Sequence, residues 1–231
     1  MFTRKILSPY IEIAVDDGLG LLDVRGHSDL GGALIFKGQV ATAIWNAFDG
    51  SIGQFLLSAP NQHYREIGSH FHAIAGSEVY PENLEEIALS VLRLFSNGSY
   101  SVHLEDFDLD SDFWIYENYS QYSTSFSEFY PNLNCILDTI PEPTIENDVI
   151  EEWQSKIRNQ IKSCVVLLGS PHEFGYFVID GHHRLKAYLK ENISPRAIVI
   201  HKLNLQELIV EDLNDFDIKG FFLASKAFSD K

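Results

Sequence analysis

The residues Asp180, Gly181, His182, His183 and Arg184 follow one another and combine side chains that bind anions and exchange protons. Asp180 contributes a carboxylate, and the two histidines contribute imidazoles that accept and donate protons near neutral pH. Arg184 can hold a phosphate through two parallel hydrogen bonds. Gly181 lacks a Cβ, so the backbone can turn sharply there and a ligand can come close. This pattern indicates an anion site.

The flanking sequence places these residues at a strand-to-helix corner. The apolar run 176–179 predicts a strand, and the spacing of apolar residues predicts a helix over 182–190. A helix directs N–H groups and the positive end of its dipole outward from its N-terminus, where phosphate binds. In the alternative interpretation, Asp180 only caps the helix and the histidines lie on its surface. Three further elements are predicted nearby: a helix over 146–162, a buried strand over 163–168 and a strand over 196–201.

The charge of the chain is distributed unevenly. Residues 156–202 contain eight Lys and Arg against three Asp and Glu, in a chain whose formal net charge is -16. Residues 100–152 contain 13 acidic residues and no Lys or Arg. The positive segment either forms solvated helix faces or supports the anion site that it contains. Because the chain as a whole repels phosphate backbones, we expect no tight binding of duplex DNA.

Residues 176–188, Tyr-Phe-Val-Ile-Asp-Gly-His-His-Arg-Leu-Lys-Ala-Tyr, resemble the signature of the ParB/sulfiredoxin superfamily. The strand at 197–200 and the preceding helix and strand fit the order of elements in that superfamily, so the resemblance covers about residues 140–203. Its members include DNA-partition CTPases, sulfiredoxins and free-serine kinases. The resemblance implies a nucleotide phosphate site at this corner, formed by Gly181, His182, His183 and Arg184.

Departures from the family pattern separate its branches. Sulfiredoxin-like members have a catalytic cysteine directly after the glycine, where this chain has His182. Partition-type members have an arginine-rich box followed by a DNA-binding domain, whereas the residues after Leu203 are acidic. The Asp-Gly-His-His-Arg form is similar to the box of free-serine kinases. That resemblance implies that Asp180 lies at the reaction centre and that a separate glutamate, for which Glu142 is the candidate, assists as a base.

These observations lead to three hypotheses of function. The first is a nucleotide-dependent phosphotransferase that uses ATP or ADP, or CTP, with Mg²⁺ and acts on a small hydroxyl compound. The second is a non-catalytic module that senses nucleotide or binds another protein. The third is a ParB-like nuclease, for which the acidic chain offers little basic surface.

The predicted fold class is α+β (α/β), with a mixed sheet and helices in a C-terminal ParB/sulfiredoxin-like domain over 98–203. An α+β region of unknown role and unknown protein partner occupies residues 1–97, and an acidic extension occupies 204–231. Within the first region, Asp17-Gly18 lies between apolar alternations and predicts a hairpin. Pro81 and the apolar spacing that follows predict a helix over 81–96.

Two patterns resemble metal sites but are incomplete. Residues 100–110 alternate between apolar residues and polar ones such as His103, which predicts a strand. Its acids resemble the ligands of a calcium loop, but Ser111 replaces the required glycine. The candidate calcium ligands are Asp106, Asp108, Asp110 and Glu117, and a second candidate cluster is His63, His70 and His72. Since neither pattern has a complete ligand spacing, we expect no metal ion held by protein ligands alone.

The composition is that of a soluble globular protein, with 45% apolar and 22% charged residues. No apolar run approaches the roughly 20 residues of a membrane helix, and the start lacks the apolar core of a signal peptide. The two cysteines, Cys135 and Cys164, exclude a disulfide scaffold and suit a reducing compartment. We therefore expect a cytoplasmic protein.

Overall fold

The chain is an α+β protein. The computed structural model describes residues 5–6, 10–27, 31–48, 52–58, 68, 71, 78–107, 114–118, 135–141, 145–169 and 176–208. Within these residues the helices are α1 (Leu84–Leu92), α2 (Asn147–Arg158) and α3 (His182–Lys190). The strands are β1 (Lys5–Ile6), β2 (Ile11–Val15), β3 (Leu22–His27), β4 (Gly31–Phe36), β5 (Gln39–Phe48), β6 (Ile52–Ser58), β7 (Gly98–Asp106), β8 (Trp114–Asn118), β9 (Cys135–Pro141), β10 (Val165–Gly169), β11 (Tyr176–Asp180), β12 (Arg196–Lys202) and β13 (Gln206–Glu207).

A mixed sheet of eight strands, which we call the large sheet, carries the candidate site. Its order in the described part of the chain is β1-β7-β12-β10-β11-β9-β8, and β2 also pairs with β7. The central strands β10 and β12 run parallel, whereas β10 and β11 run antiparallel. Val166 of β10 lies opposite Asp180, so the end of β11 that leads into α3 adjoins the start of β10.

The remaining strands form the small sheet, in the order β13-β3-β4-β5-β6. Lys37 and Gly38 connect β4 to β5 with φ angles of 50° and 79°, which match a tight two-residue hairpin turn. Strand β13 returns from the C-terminal part of the chain and pairs in parallel with β3.

The hairpin predicted at Asp17-Gly18 is wrong. The two strands that flank it join different sheets, because β2 pairs with β7 and β3 pairs with β4. The residues between β2 and β3 do not form a hairpin turn but hydrogen-bond to the C-terminal end of α1 and the residues after it. The backbone N–H of Leu19 donates to the carbonyl of Arg93, and the N–H of Gly18 donates to Oδ1 of Asn97.

Each face of the large sheet is covered by other elements. One face packs against α1 and the small sheet, and its buried residues include Val102, Val166 and Ile198 together with Leu34 and Ala88. This cluster joins the regions before and after residue 97 in a common core. The opposite face packs against α3 through a second cluster. That cluster contains Phe107, Ile136, Val165, Leu167, Tyr176, Val178, Leu185, Ala197 and Val199.

Helix α2 packs outside α3. Ile150 and Ile157 of α2 are buried with Ala187 and Tyr188 of α3. The large sheet, α3 and α2 therefore form successive layers, and the beginning of α3 lies between the sheet and α2. None of the helices in the described residues is long and apolar enough to cross a membrane.

Candidate functional site

The junction of β11 and α3, residues 180–184, has the sharp strand-to-helix turn that the sequence predicts, and we call it the α3 corner. Gly181 is the N-cap residue of α3 and has φ 92° and ψ 26°, in the left-handed region where glycine is strongly favoured. This conformation turns the chain directly from β11 into the helix. The carbonyl of Gly181 then accepts the first helical hydrogen bond, from the N–H of Leu185 at 2.8 Å.

The turn brings Asp180 and Arg184 into contact. Nη2 of Arg184 donates to Oδ2 of Asp180, and the two side chains are only 3% and 13% exposed. A Cβ at Gly181 would lie 3.0 Å from both Nε and Nη2 of Arg184. The absence of a side chain at this position therefore gives the guanidinium its place against the backbone.

Trp153 of α2 borders the other side of this ion pair. The guanidinium carbon of Arg184 lies 5.5 Å from the centre of the Trp153 ring, and Nζ of Lys156 lies 4.1 Å from it. A cation over the face of an indole is held by the electrostatic attraction of the ring. Arg184 is thus fixed by a carboxylate from the sheet and an aromatic ring from the outer helix.

Helices α2 and α3 lie side by side and point in the same direction. At their N-terminal ends, the backbone N–H of Glu146 donates to Nε2 of His183 at 3.1 Å. At their C-terminal ends, Nε and Nη2 of Arg158 donate to the carboxylate of Glu191 at 2.7 and 2.6 Å. These bonds lower the pKa of Glu191 below its ordinary value.

Because the helices are parallel, the positive ends of both dipoles adjoin the α3 corner. A single helix N-terminus already favours a phosphate or carboxylate, and two that point the same way add their fields. His183 accepts a hydrogen bond at Nε2, so its neutral ring carries the proton on Nδ1. The corner therefore combines backbone dipoles, two imidazoles and a guanidinium at the C-terminal end of β11.

The structure brings together five of the six residues proposed from the sequence. Asp180, Gly181 and Arg184 form the corner, and the side chains of His182 and His183 are half-buried at the start of α3. Glu142, the candidate assisting base, lies outside the described residues.

A buried thiol lies behind the corner. Cys164 precedes β10 and is 2% exposed, and burial raises its pKa to about 12. The positive charges of Arg196 and Arg184 oppose this shift but are too weak to cancel it. Since the thiolate is the nucleophilic form, Cys164 has the environment of a structural cysteine.

The described residues contain no group of three His, Cys, Asp or Glu side chains that could hold a metal ion. Of the acids that resemble a calcium loop, Asp106 instead accepts a hydrogen bond from Nε of Arg196 at 3.0 Å. Asp108, Asp110, His63, His70 and His72 lie outside the described part of the chain, as does the side chain of Glu117. Mg²⁺ is commonly bound by one or two carboxylates together with substrate phosphates, which does not require such a group.

Trp153 is the component of the site that sequence reasoning did not find. Trp153 is an apolar residue within the helix predicted over 146–162, and it packs with the buried face of α2. Its second role, as a neighbour of Arg184, depends on how α2 and α3 lie against each other. In the sequence, Trp153 is a tryptophan on a helix that precedes a buried strand. This pattern does not by itself indicate that the ring contacts a cation.

Comparison of the chain with models of protein families, with curated proteins and with solved structures finds no match.

Proposed function

We propose that the chain binds a nucleoside di- or triphosphate at the α3 corner and transfers a phosphoryl group to a small hydroxyl compound. The observation that carries this proposal is the Asp180–Arg184 pair, with its buried guanidinium, at the shared N-terminal end of two parallel helices. This arrangement supplies a positive site for phosphate and places a carboxylate beside it. The resemblance of residues 176–188 to the ParB/sulfiredoxin signature supports the same ligand, and we extend the proposal to membership of that superfamily.

Phosphoryl transfer depends mostly on positioning and on neutralising the charge of the transferred group. In the proposed reaction, the terminal phosphate competes with Asp180 for the guanidinium of Arg184. The carboxylate of Asp180 is then released to accept the proton of the acceptor hydroxyl. The acceptor oxygen forms a bond to the terminal phosphorus as the bond between that phosphorus and the leaving phosphate oxygen breaks. The leaving nucleotide carries away the electron pair.

Mg²⁺ fits the donor set at the α3 corner. Mg²⁺ is usually held by one or two carboxylates together with substrate phosphates and water, so Asp180 and the nucleotide would supply enough oxygen ligands. Its charge would assist Arg184 in neutralising the phosphates. The resemblance to the superfamily implies a second carboxylate that assists as a base, and Glu142 remains the residue predicted for that role.

Replacing Asp180 with Asn separates binding from catalysis. The change keeps the shape of the side chain but removes the charge that accepts a proton, and we expect the rate of phosphoryl transfer to fall by at least about 100-fold. Turnover is measured with ATP, ADP and CTP in the presence of Mg²⁺, with free serine as the first acceptor and a panel of small hydroxyl compounds next. Asp106→Asn is the matched control, because it alters another Asp–Arg pair, with Arg196, outside the corner.

Both variants are first compared with the unchanged protein by circular dichroism and urea unfolding, so that loss of structure is not mistaken for loss of chemistry. Wild-type turnover that survives in Asp106→Asn and is lost in Asp180→Asn supports the proposal. Full turnover in Asp180→Asn contradicts the role of this carboxylate.

A non-catalytic nucleotide-sensing module is the second candidate, and one observation favours it. Asp180 and Arg184 already neutralise each other, and Arg184 is 3% exposed, so the pair also serves to hold α3 on the sheet. In a sensing module the phosphate would bind without consumption of nucleotide. Binding by the wild type with no turnover on any acceptor would favour this candidate over the phosphotransferase.

A further inference from the structure

A buried polar cluster lies on the face of the large sheet that packs against α3, away from the α3 corner. His103 and Glu105 are alternate residues of β7 and point to the same face. They are 2% and 1% exposed, and Nε2 of His103 lies 3.1 Å from Oε2 of Glu105. Strands β12 and β10 separate β7 from β11. At about 4.8 Å per strand, this pair lies roughly 14 Å from Asp180.

The contact with Glu105 determines which nitrogen of His103 can bind a ligand. In the neutral tautomer that donates from Nε2 to Oε2 of Glu105, Nδ1 is an acceptor. Nδ1 is buried and has no hydrogen-bond partner in the described part of the chain. Buried polar atoms are nearly always paired, which makes this nitrogen an exception that calls for a donor.

A row of aromatic rings leads away from His103 across the sheet. The ring of His201 in β12 lies 5.8 Å from that of His103, at an angle of 74°. The ring of Tyr176 in β11 lies 5.8 Å from that of His201 on the other side. Gly169, between these two strands, permits this contact, because a Cβ there would lie 2.3 Å from Cδ2 of His201.

Tyr10 covers His103 from the outer edge of the sheet. Their ring centres are 4.4 Å apart, yet Tyr10 is 54% exposed. On this side of β7, the described pairing with β1 ends at Glu105 and the pairing with β2 begins at Val102. Tyr10 therefore lies where the pairing along the edge is interrupted, at the level of His103.

We propose that His103, oriented by Glu105, forms a second ligand site that takes a small, uncharged aromatic compound with one O–H or N–H donor. The donor would bond to Nδ1 of His103, and the ring of the ligand would take the place of the Tyr10 ring against His103. Aromatic rings favour such stacked or edge-to-face neighbours. A phenol or an indole is a ligand of this chemical class.

The test compares donors with their methylated analogues on the full-length protein. Phenol and indole are titrated against anisole and N-methylindole, and long-range proton–nitrogen NMR spectra report on the histidine rings. We expect phenol and indole to move the Nδ1 signal of His103 and to bind roughly two- to tenfold more tightly than the analogues, as one neutral hydrogen bond implies. His103→Phe, which keeps a ring but removes the acceptor, assigns the signal and should abolish this preference.

Two outcomes would overturn the proposal. One is equal binding of donors and methylated analogues, which would show an apolar site only. The other is an unchanged Nδ1 signal with every probe, as expected if a trapped water satisfies this atom. Both outcomes are measured on the wild-type protein, so the test remains valid even if His103→Phe does not fold.

The role of Tyr10 as the cover has a separate test. Tyr10→Ala should tighten binding of phenol, whereas Tyr80→Ala, at another exposed tyrosine, should leave it unchanged. Equal effects of the two changes would contradict that role.

Discussion

Replacement of Gly181 by alanine tests whether the α3 corner depends on the close approach of Arg184 to the backbone. Two penalties are expected. A residue with a Cβ is strained in the left-handed conformation by about 1–2 kcal/mol. The new Cβ would also lie 3.0 Å from two guanidinium nitrogens of Arg184, which is held between Asp180 and Trp153 and cannot move away freely. Weakening a hydrogen bond between charged groups adds about 1.5–3 kcal/mol.

Gly38 provides the matched control. It has φ 79°, close to the 92° of Gly181, but a Cβ there would meet no heavy atom of the described residues within 4 Å. Gly38→Ala should therefore lower the free energy of unfolding by only about 1–2 kcal/mol. For Gly181→Ala we expect about 2.5–5 kcal/mol, the sum of both penalties.

The assay is equilibrium unfolding in urea, in which a shift of the midpoint at constant slope reports stability. Repeating Gly181→Ala in an Arg184→Met background isolates the contact, since the extra 1.5–3 kcal/mol or so should disappear when the guanidinium is absent. Equal losses at Gly181 and Gly38 would refute the reasoning. So would an extra loss that persists without Arg184.

Three other predictions concern the core, the thiol and nucleic acid. Lys202→Met should lower the free energy of unfolding by about 3–5 kcal/mol in urea unfolding, because it leaves the carboxylate of Asp23, now 2.5 Å from Nζ and only 15% exposed, without its charge partner. Adding Asp23→Asn should recover part of this loss, and a loss below about 1 kcal/mol would contradict the importance of the pair. In a Cys135→Ser background, Cys164 should react with a thiol reagent at pH 8 about 1000-fold more slowly than after unfolding, because its pKa is raised from 9.0 to about 12. The neutral thiol stabilises the fold at low pH, and this contribution to stability should be lost as the pH rises from about 9 toward 12. Rapid labelling of Cys164 in the native protein would contradict a buried thiol with a raised pKa. Duplex DNA should not bind with submicromolar affinity in a gel shift at about 150 mM salt, given the net charge of -16, and such binding would favour a partition-type function.

The sequence predicted the local structure of the α3 corner closely. The helix predicted over 182–190 is observed as His182–Lys190, and the strand before it ends at Asp180. These boundaries depend on Gly181 and on apolar spacing, which are local signals. The spacing of Asp180 and Arg184 also permitted an i,i+4 pair. Its burial was not predictable, because it depends on Trp153 of another helix.

Other predictions failed or fell short where distant contacts decide the structure. The Asp17-Gly18 signal predicted a hairpin, but β2 and β3 find their partners in different sheets. The alternation in β7 correctly predicted a strand. It could not show that the polar face with His103 and Glu105 is buried, because the elements that cover it come from other parts of the chain.

Calorimetric titration with nucleotide tests the central claim most directly. Binding of ATP, ADP, CTP or GTP with Mg²⁺ at millimolar concentration or below is predicted for the wild type. Arg184→Met should weaken it by about 10- to 150-fold, the equivalent of 1.5–3 kcal/mol. Arg158→Met is the control, because it removes the same charge from an Arg–Glu pair at the opposite end of the two helices, and it should leave affinity within about twofold. Heat of binding that is absent for every nucleotide, or equally reduced by both changes, would contradict a nucleotide site at the α3 corner.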